Sequence, residues 1–434
     1  MHRGDNAGGG AEYSAATSAA VGVRQVGVPR AVLAGCFAVL VTMGLLASSY
    51  GPLLPLIREQ FSLSSVETGF LVSALPAGSI VAIIACARLE TRVSTRLLLQ
   101  GSCGFLVVGL SGLALAPWWW LVLVSGVAIG LGYGGATTLA NGVIAAAYDS
   151  RRSTFLLNLQ NGIFGLGAVL GPVCVAVLPE GSGRLAWLGY VAVAVLAAVL
   201  FAALPTTSLA SPQRMSRAGA SQFQALSPEN VRSGGPLRAL SPEKVRGVRS
   251  GSGRLGGFAL LFACFVAVEI STAAWATTHL DAVGAGATAV ALATSLFYLG
   301  LATGRLGAAL IGLRVDPGPL LVGTTILATA ALALTYLAPL GGAAYLLVGL
   351  TIGPVFPTGL AWVSQDQSQA RHPIATVLVV GNLGGFVLPP LVGAVIAVVG
   401  AQAAPLPIAI TCALGAVVAL SLVGGSRRSL PVPA

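Results

Sequence analysis

The chain has 434 residues, of which 56% are apolar and only 8% charged, and its mean hydropathy is +0.89. Water-exposed domains carry roughly a quarter of their residues as charges, so this composition excludes a soluble enzyme or soluble binding domain and makes the bilayer the solvent. The net charge of +10 is spread over loops instead of being gathered on one face, which argues against a nucleic-acid partner and fits loops beside an anionic leaflet.

Residues 1–30, rich in Gly, Ala and Ser, predict a disordered cytoplasmic tail. The apolar run after them is too long and too glycine-punctuated for a cleaved signal peptide. Six apolar stretches follow at 31–57, 66–87, 96–115, 118–147, 155–178 and 185–204. A basic, Pro/Gly/Ser-rich tract at 205–254 reads as a cytoplasmic linker. Within it Ala225-Leu-Ser-Pro-Glu-Asn-Val-Arg232 recurs as Ala239-Leu-Ser-Pro-Glu-Lys-Val-Arg246. Ser-Pro-Glu can start a helix, so two short surface helices and a flexible duplicated linker are both open readings. Six further stretches lie at 256–280, 287–313, 318–338, 342–365, 373–399 and 404–424, with a tail at 425–434. Each can cross a hydrocarbon core of ~30 Å at about 1.5 Å per residue. The expectation is an all-α membrane protein with twelve transmembrane helices in two pseudo-symmetric six-helix bundles, 31–204 and 255–424.

The positions of Lys and Arg set the orientation, because cationic loops near span ends stay in the cytoplasm. With the spans drawn this way, 20 of the 23 basic residues fall on the side of the termini and the central tract. Arg58 and Arg184 fall on the opposite side, and Arg305 lies within a span. A multi-pass protein of the cell's inner (cytoplasmic) membrane, monomeric and with both termini in the cytoplasm, is expected.

All six cysteines, Cys36, Cys86, Cys103, Cys174, Cys264 and Cys412, lie in predicted spans without a CxxC pair, and read as small packing residues. No metal site and no cofactor are predicted. His2, His279 and His372 lie in the tail or near span ends, and no HExxH, GxSxG or phosphate loop is present, which excludes an enzyme and a nucleotide-driven pump.

Weak internal symmetry relates the halves. Ser73 precedes Gly78 as Ser295 precedes Gly300, and Gly130-Leu-Gly-Tyr-Gly134 matches the spacing of Gly349-Leu-Thr-Ile-Gly353. Spans five and eleven each follow a basic turn, Arg151-Arg152 or Arg371-His372, and then carry Asn, glycines and a late proline. These matches favour a six-plus-six duplication, the plan of transporters whose site lies between repeats.

With these features the chain resembles the major facilitator superfamily from residue 31 to residue 424. That family places a charged cytoplasmic latch after span two. The aligned stretch here, Cys86-Ala-Arg-Leu-Glu90-Thr-Arg92-Val-Ser-Thr-Arg96, keeps the acid but lacks both glycines. The resemblance implies a cytoplasmic gate role for Glu90 and Arg96, while retention of positive charge at a span end accounts for the same residues. Gly167-Ala-Val-Leu-Gly171-Pro172 resembles the core of a motif frequent in proton-coupled antiporters, and close helix packing explains it equally. Span seven, Val266-Ala-Val-Glu269 with Trp275, is similar to the fucose/glucose/galactose–proton symporter branch. So are Gly300-Leu-Ala-Thr-Gly304-Arg305 and Gly353-Pro-Val-Phe356-Pro357-Thr358. Ala267 replaces that branch's usual glycine, and span one lacks the carboxylate that sugar symporters often carry.

Glu269 stands apart without any resemblance. It lies about 22 Å along a helix from the cytoplasmic boundary and about 18 Å from the other. A carboxylate there must be protonated, paired or facing a wet cavity, so Glu269 is the expected proton-coupling residue, with a structural interhelix bond as the alternative. Arg305, about 13 Å from the cytoplasmic boundary, can pair with Glu269, hold an anionic substrate group or snorkel to headgroups. Asn141, Asn158, Asn161 and Asn382 offer amide donors and acceptors to a hydroxyl-bearing substrate or to neighbouring helices. Trp275 and Tyr298 are candidates to stack on a sugar ring. The sequence thus predicts a proton-coupled secondary transporter, with a small-molecule substrate, protons and lipid as partners, moving a sugar or similar polar metabolite by alternating access. A proton-driven drug or metabolite efflux antiporter is the alternative, and a non-transporting membrane sensor a lesser one.

Overall fold

The computed structural model describes residues 28–148, 150–176, 183–203, 242–311, 315–337, 340–366 and 373–427. The tail expected at 1–30 beyond its last three residues, the linker from 205 to 241 with the first duplicated segment, Arg371-His372 and the end of the tail at 425–434 lie outside them.

The described chain is all-helical. The first half comprises α1 (Arg30–Gln60), α2 (Ser65–Leu89), α3 (Thr95–Leu115), α4 (Trp119–Ala147), α5 (Ser150–Ala176) and α6 (Gly183–Phe201). The second comprises α7 (Pro242–Ala282), α8 (Ala287–Ile311), α9 (Pro317–Leu334), a broken α10 (α10a Gly341–Ile352, α10b Val355–Asp366), α11 (Pro373–Val399) and α12 (Pro405–Arg427). Among the described residues ten spans are long and apolar enough to cross a membrane, α10a and the start of α10b counting as one, and α5 and α6 supply two shorter apolar segments, Leu159–Val175 and Trp187–Phe201.

Local chemistry fixes several boundaries. Ser64 and Glu67 form a reciprocal capping box at the start of α2, with Ser64 N–H donating to Glu67 Oε2 at 2.8 Å. Ser94 caps α3 through Leu97 N–H. The tenth span was expected as one helix but breaks at Gly353-Pro354, where proline cannot donate the backbone bond that would carry the helix on. The seventh reaches back to Pro242, so the second Ser-Pro-Glu of the tract expected as linker opens a helix continuous with the span.

Inside each half the helices pack in the same pattern. α1 packs on α5 and α6, α2 on α4, and α3 on α4 and α6; correspondingly α7 packs on α11 and α12, α8 on α10a, and α9 on α10a and α12. The repeat holds at an offset of 222 between α1 and α7, α2 and α8, and α6 and α12, and at 219 between α4 and α10a. Gly35 packs against Leu200, and Gly257 against Leu422. Gly78 lies against the α4 backbone at Val127 and Leu131, as Gly300 does against the α10a backbone at Leu346 and Leu350. Without side chains these glycines let the backbones touch.

Between the halves α2 meets α11, α5 meets α8, and α1 meets α7. Two hydrogen bonds between described residues join the halves: Ser73 Oγ donates to Phe386 O at 2.6 Å, and Ser295 Oγ to Val169 O at 2.9 Å. The serines differ by the same 222 residues, and both bonds lie toward the end that bears the α1–α2 and α7–α8 loops. Gly69 and Gly393 bring α2 and α11 together at that end, against Pro390 and Ser65 respectively. On the α5–α8 side of the same end a hollow of about 390 Å³ opens, lined by Pro172, Thr277, Asp281 and Val290 among others.

Candidate functional site

Glu269 sits near the middle of the apolar stretch Gly253–Ala282, and Arg305 near the far end of Ala287–Ala308. They meet because helical side chains lean toward their own helix N-terminus and α7 and α8 run in opposite directions. Arg305 Nη2 reaches Glu269 Oε1 and Oε2, both at 3.4 Å. Both side chains keep partial access, 17% for Arg305 and 16% for Glu269. Of the three roles open to Arg305 in sequence, pairing with Glu269 is the one this geometry adopts.

The pair has aromatic walls. Phe356 of α10b lies 5.8 Å beneath the guanidinium, and its ring packs on Phe262 and Phe265 of α7. Tyr298 of α8 and Tyr133 of α4 both lie within electrostatic reach of the pair. Phe164 of α5 meets Tyr298 edge-on at 6.4 Å, so residues of both halves converge here. Tyr133 was quoted in sequence only as part of a glycine pattern. Its signal was that it is the one aromatic ring in a run of small residues, where flanking glycines leave room for it.

The other predicted residues are placed as follows. Trp275 is 1% exposed, enclosed in the core, with its indole N–H unpartnered among the described residues. Tyr298 is buried beside the charge pair. Asn141 and Asn161 are exposed on α4 and α5, while the Asn158 side chain lies outside the described residues. Gln160, between the two α5 asparagines, is the buried amide, and neither its oxygen nor its nitrogen finds a partner among the described residues. Asn382 donates to Leu378 O at 2.9 Å within α11. Glu90 follows the last residue of α2, half-buried, and its backbone N–H donates to Cys86 O. Arg96 lies in the first turn of α3. His279, read in sequence as lying near a span end, is fully buried, with Nδ1 3.1 Å from Tyr345 Oη. Five cysteines are buried and Cys174 is exposed on α5. No cluster suited to a metal ion occurs among the described residues.

Two repeated six-helix bundles with a charge pair near their junction define a membrane transporter, not an enzyme. The sequence model of the Major Facilitator Superfamily matches residues 36–387, and the chain belongs to that family. A high-affinity glucose transporter of Schizosaccharomyces pombe, ght2, is 29% identical over 131 residues, which is 30% of this chain and only 24% of that relative's length. Among solved structures, a D-xylose–proton symporter is similar in fold at TM-score 0.69 and 15% identity, covering 89% of this chain and 96% of that one. A peptide transporter, POT, is similar at TM-score 0.71 and 14% identity, covering 92% and 95%.

Proposed function

We propose that this transporter is proton-coupled and moves a small polar solute, a sugar or related metabolite, by alternating access, with Glu269 carrying the proton. The observation that carries the reading is the Glu269–Arg305 pair, partly water-accessible and enclosed by rings from both halves. A lone carboxylate at that depth costs a few kcal/mol or more. Arg305 offsets the cost while Glu269 is ionised, and a change in what occupies Arg305 changes whether Glu269 holds a proton. Such a difference in affinity between states is what a gradient needs to drive flux.

The serine-bonded end supports one facing state. If the termini are cytoplasmic, as the basic residues indicate, that end faces outside and the pair is reached from the cytoplasm. Opening to the outside then requires the halves to rock apart at Ser73 and Ser295 and to close at the end bearing Glu90 and Arg96, our proposed cytoplasmic gate. Asn141, Asn158, Asn161 and Asn382, with Tyr298 and now Tyr133, are assigned to the solute path. Trp275 is assigned to support α7 from the core side. The inner membrane, as a monomer, is the proposed location.

The names of the glucose transporter and the D-xylose–proton symporter favour a sugar-like solute moving with a proton. Efflux rested on the missing carboxylate of span one and on the motif from Gly167 to Pro172. Its glycines set α5 against α1, Gly167 at Val41 and Gly171 at Leu45, a scaffold role that serves either direction.

The test is proton flux after a pH jump in liposomes holding purified protein, wild type beside Glu269→Gln, scanned across sugars, small carboxylates and amphipathic drugs. Solute-triggered proton movement that falls to the level of empty liposomes in the variant is expected. Equal flux in both would make Glu269 structural and end the coupling assignment.

A further inference from the structure

Two arginine–carboxylate pairs between described residues differ in a way that points to the cargo. Arg254 forks onto Asp366, with Nε 2.9 Å from Oδ2 and Nη2 2.6 Å from Oδ1, and its Nη1 donates to Leu422 O at 3.1 Å. That is how a guanidinium satisfies a carboxylate, two parallel N–H donors on two oxygens. Arg305 does not do this. One nitrogen, Nη2, is shared between both oxygens of Glu269 at 3.4 Å, and Nε–H is buried with no partner among the described residues.

Buried donors are rarely left unmade, and an exception in a native fold asks for an occupant. The Nε–Nη2 edge of Arg305 is the fork that Arg254 uses on Asp366. Around it stand rings, Phe356 beneath and Tyr133 and Tyr298 within electrostatic reach. A neutral polyol can offer this fork only separate, uncharged hydroxyl acceptors, whereas a planar oxyanion meets both N–H donors at once and with charge.

We infer that the transported solute carries a carboxylate, which docks bidentately on the Nε–Nη2 edge of Arg305 and releases Glu269 to take up a proton. This rests on the proposal that the pair is the transport site, and it narrows the solute to a small carboxylic acid, acidic sugars included. The charge balance is simple. Empty, Arg305 and Glu269 cancel; loaded, Arg305 and the substrate anion cancel and Glu269 is protonated. One anion therefore travels with one proton, and the step moves no net charge.

The experiment uses the full chain in detergent and in liposomes. Binding is read from the thermal unfolding midpoint and from intrinsic fluorescence with acetate, lactate, benzoate and galacturonate, each beside a neutral counterpart: acetamide, lactamide, benzamide and galactose. At least one carboxylate is expected to bind while its neutral counterpart does not. Arg305→Gln is expected to weaken that binding by tenfold or more, and Arg305→Lys, which keeps the charge but loses the fork, to weaken it by about tenfold. Uptake of the bound acid should alkalinise the outside by one proton per anion and should ignore an imposed potassium–valinomycin potential.

The inference is overturned if no carboxylate in the panel binds, if galactose binds as well as galacturonate, or if Arg305→Lys, folded by size-exclusion profile, binds the acid as tightly as wild type. The two proposals fail separately. Arg305-dependent acid binding with proton flux untouched by Glu269→Gln would sink the coupling reading and the proton step with it, and would leave the carboxylate docking on Arg305 standing. Galactose-triggered flux that needs Glu269 but survives Arg305→Lys would sink this one alone.

Discussion

In the first half, Gly78 of α2 and Gly130 of α4 bring two backbones into contact; in the second, Gly300 of α8 and Gly349 of α10a do the same. Ser73 and Ser295 reach across to backbone carbonyls of α11 and α5. At the same offset of 222, however, Ala47 and Ile83 stand where the second half has Glu269 and Arg305. The frame is duplicated and the charge is not. Rocking needs matching halves, because both interfaces must open and close together. A titratable pair needs no twin, and a second pair would add a second desolvation cost. With the pair confined to one half, a proton gained or lost there changes that half's surface toward an unchanged partner.

The strongest way to break this contrast is to charge the first half. Ile83 is 8% exposed, so Ile83→Arg buries an unpaired guanidinium and is expected to destabilise by about 3–5 kcal/mol. The readout is the thermal midpoint and the monodisperse fraction in detergent. If Ile83→Arg costs nothing, the first half is wet at that depth and burial does not explain why it carries no pair.

A smaller change probes what the halves share. Ser73→Ala and Ser295→Ala each remove one interbundle hydrogen bond, worth about 1 kcal/mol, or roughly fivefold in the balance of facing states. The sites lie on opposite flanks of the junction, so the double variant should shift the balance by roughly 25-fold. A cysteine placed at Ala287, beside the hollow at the serine-bonded end, reports the shift through its labelling rate by a membrane-impermeant maleimide, in a background lacking the exposed Cys174. Unequal shifts would mean that the two flanks do not open as one.

Much of this frame was legible before any coordinates. Apolar runs of span length have only one stable solution in lipid, so ten of the twelve expected spans match helices to within about five residues, while the seventh helix starts earlier and the tenth is broken. Ser73, Ser295 and their glycines stood out because close packing constrains residue size at fixed spacing. Glu269 was legible for a different reason: a lone acid at mid-span is expensive wherever it points. What stayed hidden depended on direction. Nothing in the spacing of α5 said that Gln160 would turn inward and Asn161 outward, or that Trp275 would be closed into the core while Tyr133 approached the charge pair from the other half. Pro354 was read as part of a family motif, and its power to break α10 was passed over.

Glu90 offers the finest test, because it sets a loop carboxylate of the first half against the buried pair of the second. Partial burial holds its carboxyl above the ordinary 4.5, so the folded protein binds this proton more tightly than the unfolded chain does. Stability from protonation is then fully present below pH 4.5 and is lost as pH rises through the folded value. Glu90→Gln, neutral throughout, should match wild type in acid and exceed it slightly at neutral pH, by an amount that solvent screening keeps small. Thermal midpoints of both proteins from about pH 4 to pH 7 measure the gap. If the glutamine variant is instead the less stable one at neutral pH, the ionised carboxylate is holding a cation at the end opposite Ser73 and Ser295. The first half would then carry a working charge of its own, at its rim and not at its centre.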